Sequence, residues 1–178
     1  MADEEVGRRQ GEGDGGSPRQ FYIAGASRLP PAPQSASADL VWESGGERIA
    51  YRATAGHIDV RSDGGSLMGR MFHLSYVATG AGDALARPVT FCYNGGPGSA
   101  SVPINVGGIG PRRVATAGIS HLAQPAAMED NPATLLRASD LVFLDALGTG
   151  YSELAEGFDP TQVWGVEGDA DSFARAVE

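Results

Sequence analysis

The chain has 178 residues, with 13 Lys plus Arg against 22 Asp plus Glu, and its formal net charge is −9. At about 150 residues per domain, this length fits one domain, or one domain with a tail. An acidic chain without a basic stripe is not expected to bind nucleic acid or to carry a polybasic membrane anchor. No apolar run approaches the ~18 residues of a membrane span, so we expect no membrane association.

The first part of the chain is polar and contains a linker-like stretch. Residues 1–20 are rich in Gly and in charges of both signs, so we expect them to be disordered. Residues 29–38 are rich in Pro, Ser and Ala, which is typical of a linker. No hydrophobic segment of a secretory signal is present, and this favours a cytoplasmic location. The sequence therefore predicts a tail and linker over residues 1–38 and a folded part over residues 39–178.

Residues 40–77 carry the pattern of antiparallel β structure. Apolar and polar residues alternate through residues 47–53, 57–61 and 67–77, and turn residues stand at 45–46 and 62–65. Alternation with period two is typical of strands that are buried on one face. We therefore predict an antiparallel meander of half-buried strands that begins near Leu40.

The pattern changes in the second half of the chain. Residues 88–93 and 140–146 are almost continuously apolar, which predicts strands buried on both faces, as in a parallel sheet covered by helices. A helical turn or two is expected over residues 131–139. Residues 166–178 predict a helix with acidic residues in its first turn, where the helix dipole favours them. Phe173 and Val177 are spaced to share one face of that helix.

The motif with the clearest chemistry is N-G-G-P-G at residues 94–98, directly after the first of these apolar strands. Consecutive glycines let the backbone turn sharply and direct N–H groups into a cleft. Such groups stabilise a developing oxyanion, and the loss of one donor typically costs ~3 kcal/mol of transition-state stabilisation. The motif alone leaves an ordinary Gly-Pro turn equally open.

Four further motifs follow in order along the chain. They are Gly110-Pro111, Asn131-Pro132, L-V-F-L-D at residues 141–145 and G-T-G-Y-S at residues 148–152. With N-G-G-P-G, this order resembles the N-terminal part of a serine carboxypeptidase, and of a bacterial-type member of that family. The resemblance implies an α/β-hydrolase fold in which antiparallel N-terminal strands lead into a parallel sheet. The sheet is expected to be incomplete here, and an unfinished parallel sheet leaves an exposed edge strand.

The resemblance also implies roles for individual residues. Gly96 matches the glycine whose backbone N–H helps to form the oxyanion hole, and Gly95 is the neighbouring amide. Asn94 matches an asparagine that holds the terminal carboxylate of the substrate. Tyr151 lies on a loop that lines the cleft, where we expect it to pack first and to contact substrate second. The implied substrate is a peptide with a free C-terminal carboxylate, and no cofactor or metal is implied.

The chain departs from the family pattern in ways that bear on activity. Ser99 stands where eukaryotic members often have a disulfide-forming Cys, and Cys92 stands where those members tend to have Trp. No G-x-S-x-G nucleophile elbow occurs anywhere in the 178 residues. Because a serine hydrolase needs a serine, a base and an orienting acid, we expect no catalytic residue in this chain. The sequence therefore predicts an N-terminal fragment that is inactive by itself.

Other chemically capable residues have simpler interpretations. The three histidines, His57, His73 and His121, lack metal-ligand spacing, and we expect ordinary core or surface histidines. Ser152 has no glycine two residues after it, so a structural serine is favoured over a nucleophile. Asp145, at the end of an apolar strand, is expected to cap the loop that follows. Cys92 is expected to be a small buried hydrophobic residue.

Two other functions remain open at this stage. The first is another α/β-hydrolase, such as a proline iminopeptidase-like enzyme, which uses a similar G-G-P-G loop. In those enzymes His commonly precedes the glycines, whereas Asn94 does so here. The second is a non-catalytic binding module that keeps the cleft loop and lacks the triad.

Overall fold

A mixed sheet of six strands forms the centre of the computed structural model, which describes residues 35–80, 87–94, 98–115 and 127–178. Five strands follow the order β1-β2-β3-β7-β4, and the short β8 pairs with β3. These strands are β1 (Ala36–Ser44), β2 (Glu47–Arg61), β3 (Leu67–Ala78), β4 (Val89–Tyr93), β7 (Asp140–Leu144) and β8 (Glu153–Leu154). Strands β5 (Arg112–Val114) and β6 (Met128–Asp130) form a separate antiparallel pair.

The helical elements are short except for the last one. Helix α1 (Val102–Ile104) continues as a single π-helical turn (Asn105–Ile109), and 3-10 turns cover Leu135–Arg137 and Pro160–Gln162. Helix α2 (Val166–Val177) carries the predicted acidic residues, Glu167 and Asp169, in its first turn. No helix among the described residues is long and apolar enough to cross a membrane.

The antiparallel meander predicted from the alternating pattern is confirmed by β1, β2 and β3. Gly45 and Gly46 join β1 to β2 with φ of 59° and 84°, as the tight hairpin turn requires. Strand β2 runs unbroken through residues 54–56, where the sequence predicted a gap between two strands. Thr54 and Ala55 pair with both β1 and β3, and Gly56 pairs with β3, so long-range pairing overrides the weak local pattern. Strand β1 begins at Ala36, four residues before Leu40, near which the meander was predicted to begin.

The parallel pair predicted from the apolar runs is also present. Strand β4 pairs with β7 in parallel, from Val89 opposite Asp140 to Tyr93 opposite Leu144. Strand β7 lies between β3 and β4 and is almost wholly buried. The prediction that both strands are buried on both faces is wrong for β4, where Phe91 is 40% exposed and Tyr93 57% exposed. Phe91 and Tyr93 are alternate residues and share one face of the sheet, and that face is incompletely covered at β4, the last strand of the sheet order.

The two faces of the sheet each carry an apolar cluster. Because side chains alternate along a strand, Leu141 and Phe143 of β7 contribute to one cluster and Leu144 to the other. The first cluster contains Trp42, Tyr51, Tyr76, Cys92, Leu136, Leu141 and Phe143. The second contains Val60, Met68, Met71, Leu144, Leu147, Val163 and Phe173. The sheet thus has a core on each side.

Helix α2 packs against the sheet mainly through Phe173. Phe173 is buried and stacks on Tyr93 of β4, with ring centroids 4.5 Å apart. Val177 shares the predicted spacing but is 45% exposed. Arg175 ties the helix to the β2–β3 turn, since its guanidinium contacts Asp63 at 2.8 Å and Asp171 at 2.7 Å.

Candidate functional site

Two loops meet where the neighbouring parallel strands β4 and β7 end. The first loop follows β4 and begins with Asn94, which is half-buried. The second follows β7 and contains residues 145–152. Because carboxyl ends of adjacent parallel strands form the usual ligand site of an α/β sheet, these loops are the candidate site. Gly95 and Gly96, the predicted oxyanion-hole residues, lie outside the described residues.

A buried carboxylate connects the two loops. Asp145 is 3% exposed, and its Oδ1 accepts a hydrogen bond from the Ser101 N–H at 2.7 Å. Its Oδ2 accepts a hydrogen bond from the Tyr151 N–H at 3.3 Å. Burial raises the pKa of the Asp145 carboxyl, and the two backbone N–H groups act in the opposite direction. The predicted capping of the following loop is confirmed, and the bond to Ser101 adds the loop after β4.

The loop after β7 requires glycine at position 150. Gly150 has a φ of +53°, and a Cβ atom there would lie 2.1 Å from Asp145 Oδ2 and 2.8 Å from the Ala100 side chain. Both the left-handed backbone and the close approach exclude a larger residue. Gly150 therefore lets the loop close over the Asp145 carboxylate.

Ser152 is a structural serine, as the sequence predicted. Its side chain is fully buried, and Oγ donates to the Asp145 carbonyl oxygen at 2.7 Å. Ser152 Oγ itself accepts a hydrogen bond from the Phe72 N–H of β3 at 2.8 Å. Both bonds are to backbone groups, so the hydroxyl links β3 to the loop after β7, and no side-chain base within the described ranges is bonded to it.

Tyr151 has a fixed backbone and an exposed ring. Its N–H donates to Asp145, and its carbonyl oxygen lies 3.0 Å from His57 Nε2. Because a carbonyl oxygen only accepts, Nε2 of His57 carries the hydrogen in this contact. The Tyr151 ring packs on Phe72 with centroids 5.1 Å apart and is 56% exposed. The packing role predicted for Tyr151 is confirmed, and its contact with substrate stays a prediction.

The histidines differ in their surroundings. His57 packs edge-on against Phe72, with centroids 5.5 Å apart, on the side of the sheet that carries the Tyr151 ring. Burial, together with the neighbouring His57, lowers the pKa of His73. His121 lies outside the described residues. Within the described ranges, no group of three or more His, Cys, Asp or Glu side chains is placed to hold a metal ion.

Cys92 has the environment that the sequence predicted. It is 6% exposed in the cluster that contains Phe143, and burial raises the pKa of its thiol. Cys92 therefore packs as a small apolar residue and is not an activated nucleophile.

Sequence reasoning missed two residues of this site, Ser101 and His57. Ser101 is 3% exposed and bonds through both its N–H, to Asp145, and its hydroxyl, to the Leu144 carbonyl oxygen. The contact of His57 joins residues 94 positions apart in sequence. Neither local pattern nor spacing carries a signal for such pairings, because both depend on strand register across the sheet.

The fold has a counterpart among solved structures. It is similar to the crystal structure of Kex1Δp, a prohormone-processing carboxypeptidase from Saccharomyces cerevisiae, with a TM-score of 0.55 and 24% sequence identity. The match covers 71% of this chain and 27% of that chain, so this chain spans about a quarter of that protein's length. No curated protein sequence matches the chain.

A comparison with protein-family models identifies the same family that the order of the sequence motifs indicated. The model for serine carboxypeptidases matches residues 45–176, which run from the β1–β2 turn to the end of helix α2. The matched region therefore includes the whole of the described site, and the chain belongs to the serine carboxypeptidase family.

Proposed function

We propose that this chain supplies the oxyanion-hole loop and the carboxylate-binding residue of a serine carboxypeptidase, which hydrolyses C-terminal peptide bonds. The observation that carries the proposal is the position of Asn94 at the carboxyl end of β4, beside the carboxyl end of β7. A ligand site is expected at that position in a parallel sheet. Family membership supplies the reaction class.

The proposed chemistry is acyl transfer through a serine. The serine hydroxyl attacks the carbonyl carbon of the last peptide bond, and its proton passes to a histidine and then to the leaving amino group. Water next hydrolyses the acyl-enzyme and releases the shortened peptide. The backbone N–H groups of Gly96 and Gly95 would stabilise the oxyanion of each tetrahedral intermediate. Asn94 would donate its side-chain amide to the substrate carboxylate, and Tyr151 would line the cleft.

We further propose that residues 39–178 are the N-terminal part of an α/β-hydrolase domain, preceded by a tail and linker. The exposed outer side of β4 and the 27% coverage of the Kex1Δp chain support this proposal. The chain contains no G-x-S-x-G elbow. The nucleophile, base and orienting acid would therefore come from residues beyond these 178.

The test compares the 178-residue chain with the product of the longer reading frame that contains it. A serine-directed fluorophosphonate is expected to label the longer protein and not the 178-residue chain. The longer protein is expected to release the C-terminal residue of a blocked dipeptide. Labelling of the 178-residue chain would overturn the proposal, because it would place a reactive serine within these residues. An in-frame stop directly after codon 178 would also overturn it and would favour a binding module. Cleavage of N-terminal proline substrates would favour an iminopeptidase instead.

The role of Asn94 has its own substrate control. Asn94→Ala in the longer protein is expected to raise KM for a free-acid substrate about tenfold or more, since a hydrogen bond to a charged group contributes about 1.5–3 kcal/mol. The matching peptide amide lacks the carboxylate and is expected to bind equally to both proteins. An equal rise in KM for acid and amide would show that Asn94 does not bind the carboxylate.

A further inference from the structure

One buried side chain holds both loops of the candidate site against the end of the same strand. Each carboxylate oxygen of Asp145 accepts one backbone N–H, from Ser101 on one loop and from Tyr151 on the other. We propose that Asp145 is a positioning residue that fixes Ser101, which follows the N-G-G-P-G motif in the chain, relative to the Gly148–Ser152 loop. Its catalytic consequence rests on the proposed function, whereas the coupling of the loops does not.

The geometry requires a group that only accepts hydrogen bonds. The two N–H groups converge on the carboxylate from different loops, so both oxygens must be acceptors. An asparagine of the same shape would offer one oxygen and one NH₂ group, and the NH₂ would face an N–H donor. Gly150 provides the space, since a Cβ there would collide with Asp145 Oδ2 and with Ala100.

Two serine hydroxyls anchor the same loops to the end of β7. The Ser101 hydroxyl donates to the Leu144 carbonyl oxygen, and the Ser152 hydroxyl donates to the Asp145 carbonyl oxygen. Each loop is therefore bound to the strand once through a hydroxyl and once through the carboxylate. A shift of either loop would break bonds that the other loop shares through Asp145.

The backbone N–H groups of Ser101 and Tyr151 stabilise the charge of the Asp145 carboxylate. Among the described residues, its carboxylate takes part in no ion pair. The titratable side chains on the neighbouring elements include Tyr151 on the same loop, His73 on β3 and Tyr93 on β4, the last two opposite Leu144. His57 lies beyond Tyr151. Burial is the largest influence on the pKa of Asp145 and raises it.

Asp140, at the other end of β7, is a matched control. It is 7% exposed and accepts hydrogen bonds from the Ala78 N–H and from Arg87 Nε, both at 3.0 Å. Asp140 thus begins the strand that Asp145 directly follows and is similarly buried, but its hydrogen bonds go to Ala78 of β3 and to Arg87 and not to the loops after β4 and β7. Loss of stability alone should follow from Asp140→Asn, whereas loss of loop coupling should follow only from Asp145→Asn.

The first test is an NMR titration of the ¹⁵N-labelled 178-residue chain. The amide proton shifts of Ser101 and Tyr151 are expected to move together through one transition at a pH above the usual range for Asp. In Asp145→Asn this shared transition should vanish, and at least one of the two amides should exchange with solvent about tenfold faster or more, while Asp140→Asn keeps both signals. Independent transitions of the two amides in the unmodified chain would overturn the proposal without any variant.

The second test uses the longer, active protein. Asp145→Asn is expected to lower kcat about tenfold or more with a smaller change in KM, because a displaced oxyanion donor acts on the transition state. Asp140→Asn should keep kcat. An unchanged kcat in Asp145→Asn would overturn the positioning role. An inactive unmodified protein would overturn the proposed function alone, because the NMR titration requires no activity.

Discussion

Tyr51 and Tyr76 lie side by side in one apolar cluster, with ring centroids 5.8 Å apart, but their hydroxyl groups differ. The Tyr76 hydroxyl exchanges hydrogen bonds with the side-chain amide of Asn105, at 3.0 and 3.2 Å. The Tyr51 hydroxyl is buried and has no hydrogen-bond partner among the described residues. A buried polar group without a partner costs folding free energy, whereas a bonded one contributes to it.

The pair leads to a prediction on stability and its dependence on pH. Tyr51→Phe should leave the free energy of unfolding unchanged or raise it by up to about 1 kcal/mol, and Tyr76→Phe should lower it by about 1–3 kcal/mol. Burial raises the pKa of Tyr51 to about 12, from 10.0 for an ordinary tyrosine. Because the unfolded chain loses this proton near pH 10 and the folded chain keeps it, the free energy of unfolding is unaffected by the ionisation of Tyr51 below pH 10. It falls as the pH rises from 10.0 towards about 12.

Urea unfolding at pH 8 and at intervals up to pH 11.5 would measure both effects. The decline above pH 10 should be smaller in Tyr51→Phe than in the unmodified chain. A decline of the same size in both proteins would show that Tyr51 is not the group responsible.

Residue by residue, the sequence predicted those roles that depend on near neighbours. Ser152 was recognised as structural because its local motif lacks the glycine of an elbow, and Cys92 because it lies in an apolar run. The contacts of His57 and Ser101 were not predicted, because they join segments brought together by the pairing of β2, β3 and β7. Asp145 lies between these cases, since its local cap was predicted and its bond to the distant loop was not.

At the scale of elements, the loop after β7 needs glycine at position 150, and a substitution at Gly157 is a control for the effect of the backbone conformation alone. Gly150 and Gly157 both have positive φ, +53° and +76°, but a Cβ at Gly157 would meet no atom within 4 Å. Gly157→Ala should therefore cost about 1 kcal/mol from the left-handed backbone alone. Gly150→Ala should cost clearly more, because its Cβ must also displace the Asp145 carboxylate.

Thermal and urea unfolding of the two variants would give the comparison. The amide signals of Ser101 and Tyr151 should shift in Gly150→Ala and not in Gly157→Ala. Equal losses of stability in the two variants would mean that the loop can move away from Asp145 at little cost.

Among the elements, the parallel or antiparallel pairing of the strands was predictable from the sequence, and their order in the sheet was not. Alternation predicted the antiparallel meander, and apolar runs predicted the parallel pair of β4 and β7. The same apolar runs could not show that β7 is central and β4 is at the edge, because strand order is not a local property. Residues 54–56 have small side chains and a weak pattern, yet they continue β2 because β3 pairs with all three and β1 pairs with the first two.

For the whole molecule, the outer side of β4 is the feature that governs solution behaviour. Val89 is 50% exposed and Phe91 40% exposed on a strand whose outer backbone groups pair with no described strand. Such an edge favours pairing with another chain. We expect the 178-residue chain to associate as its concentration rises, and Val89→Lys with Phe91→Lys to reduce that association.

Sedimentation velocity over a range of concentrations would measure the effect. The control carries Val77→Lys and Leu135→Lys, which are each 41% exposed and add the same charge away from β4. If both double variants reduce association equally, net charge and not the edge strand is the cause.

The position of Cys92 gives the molecule a chemical reporter of its own. It is the single cysteine of the chain. Its side chain, on β4, is 6% exposed and belongs to the first apolar cluster, which contains Phe143. An alkylating reagent can reach the sulfur only when β4 separates from the cluster beneath it, so the rate of alkylation follows the fraction of molecules in which this strand has opened. Each molecule can be alkylated once, so mass spectrometry gives the alkylated fraction directly. Its rise with time measures how often β4, the strand before the N-G-G-P-G motif, opens.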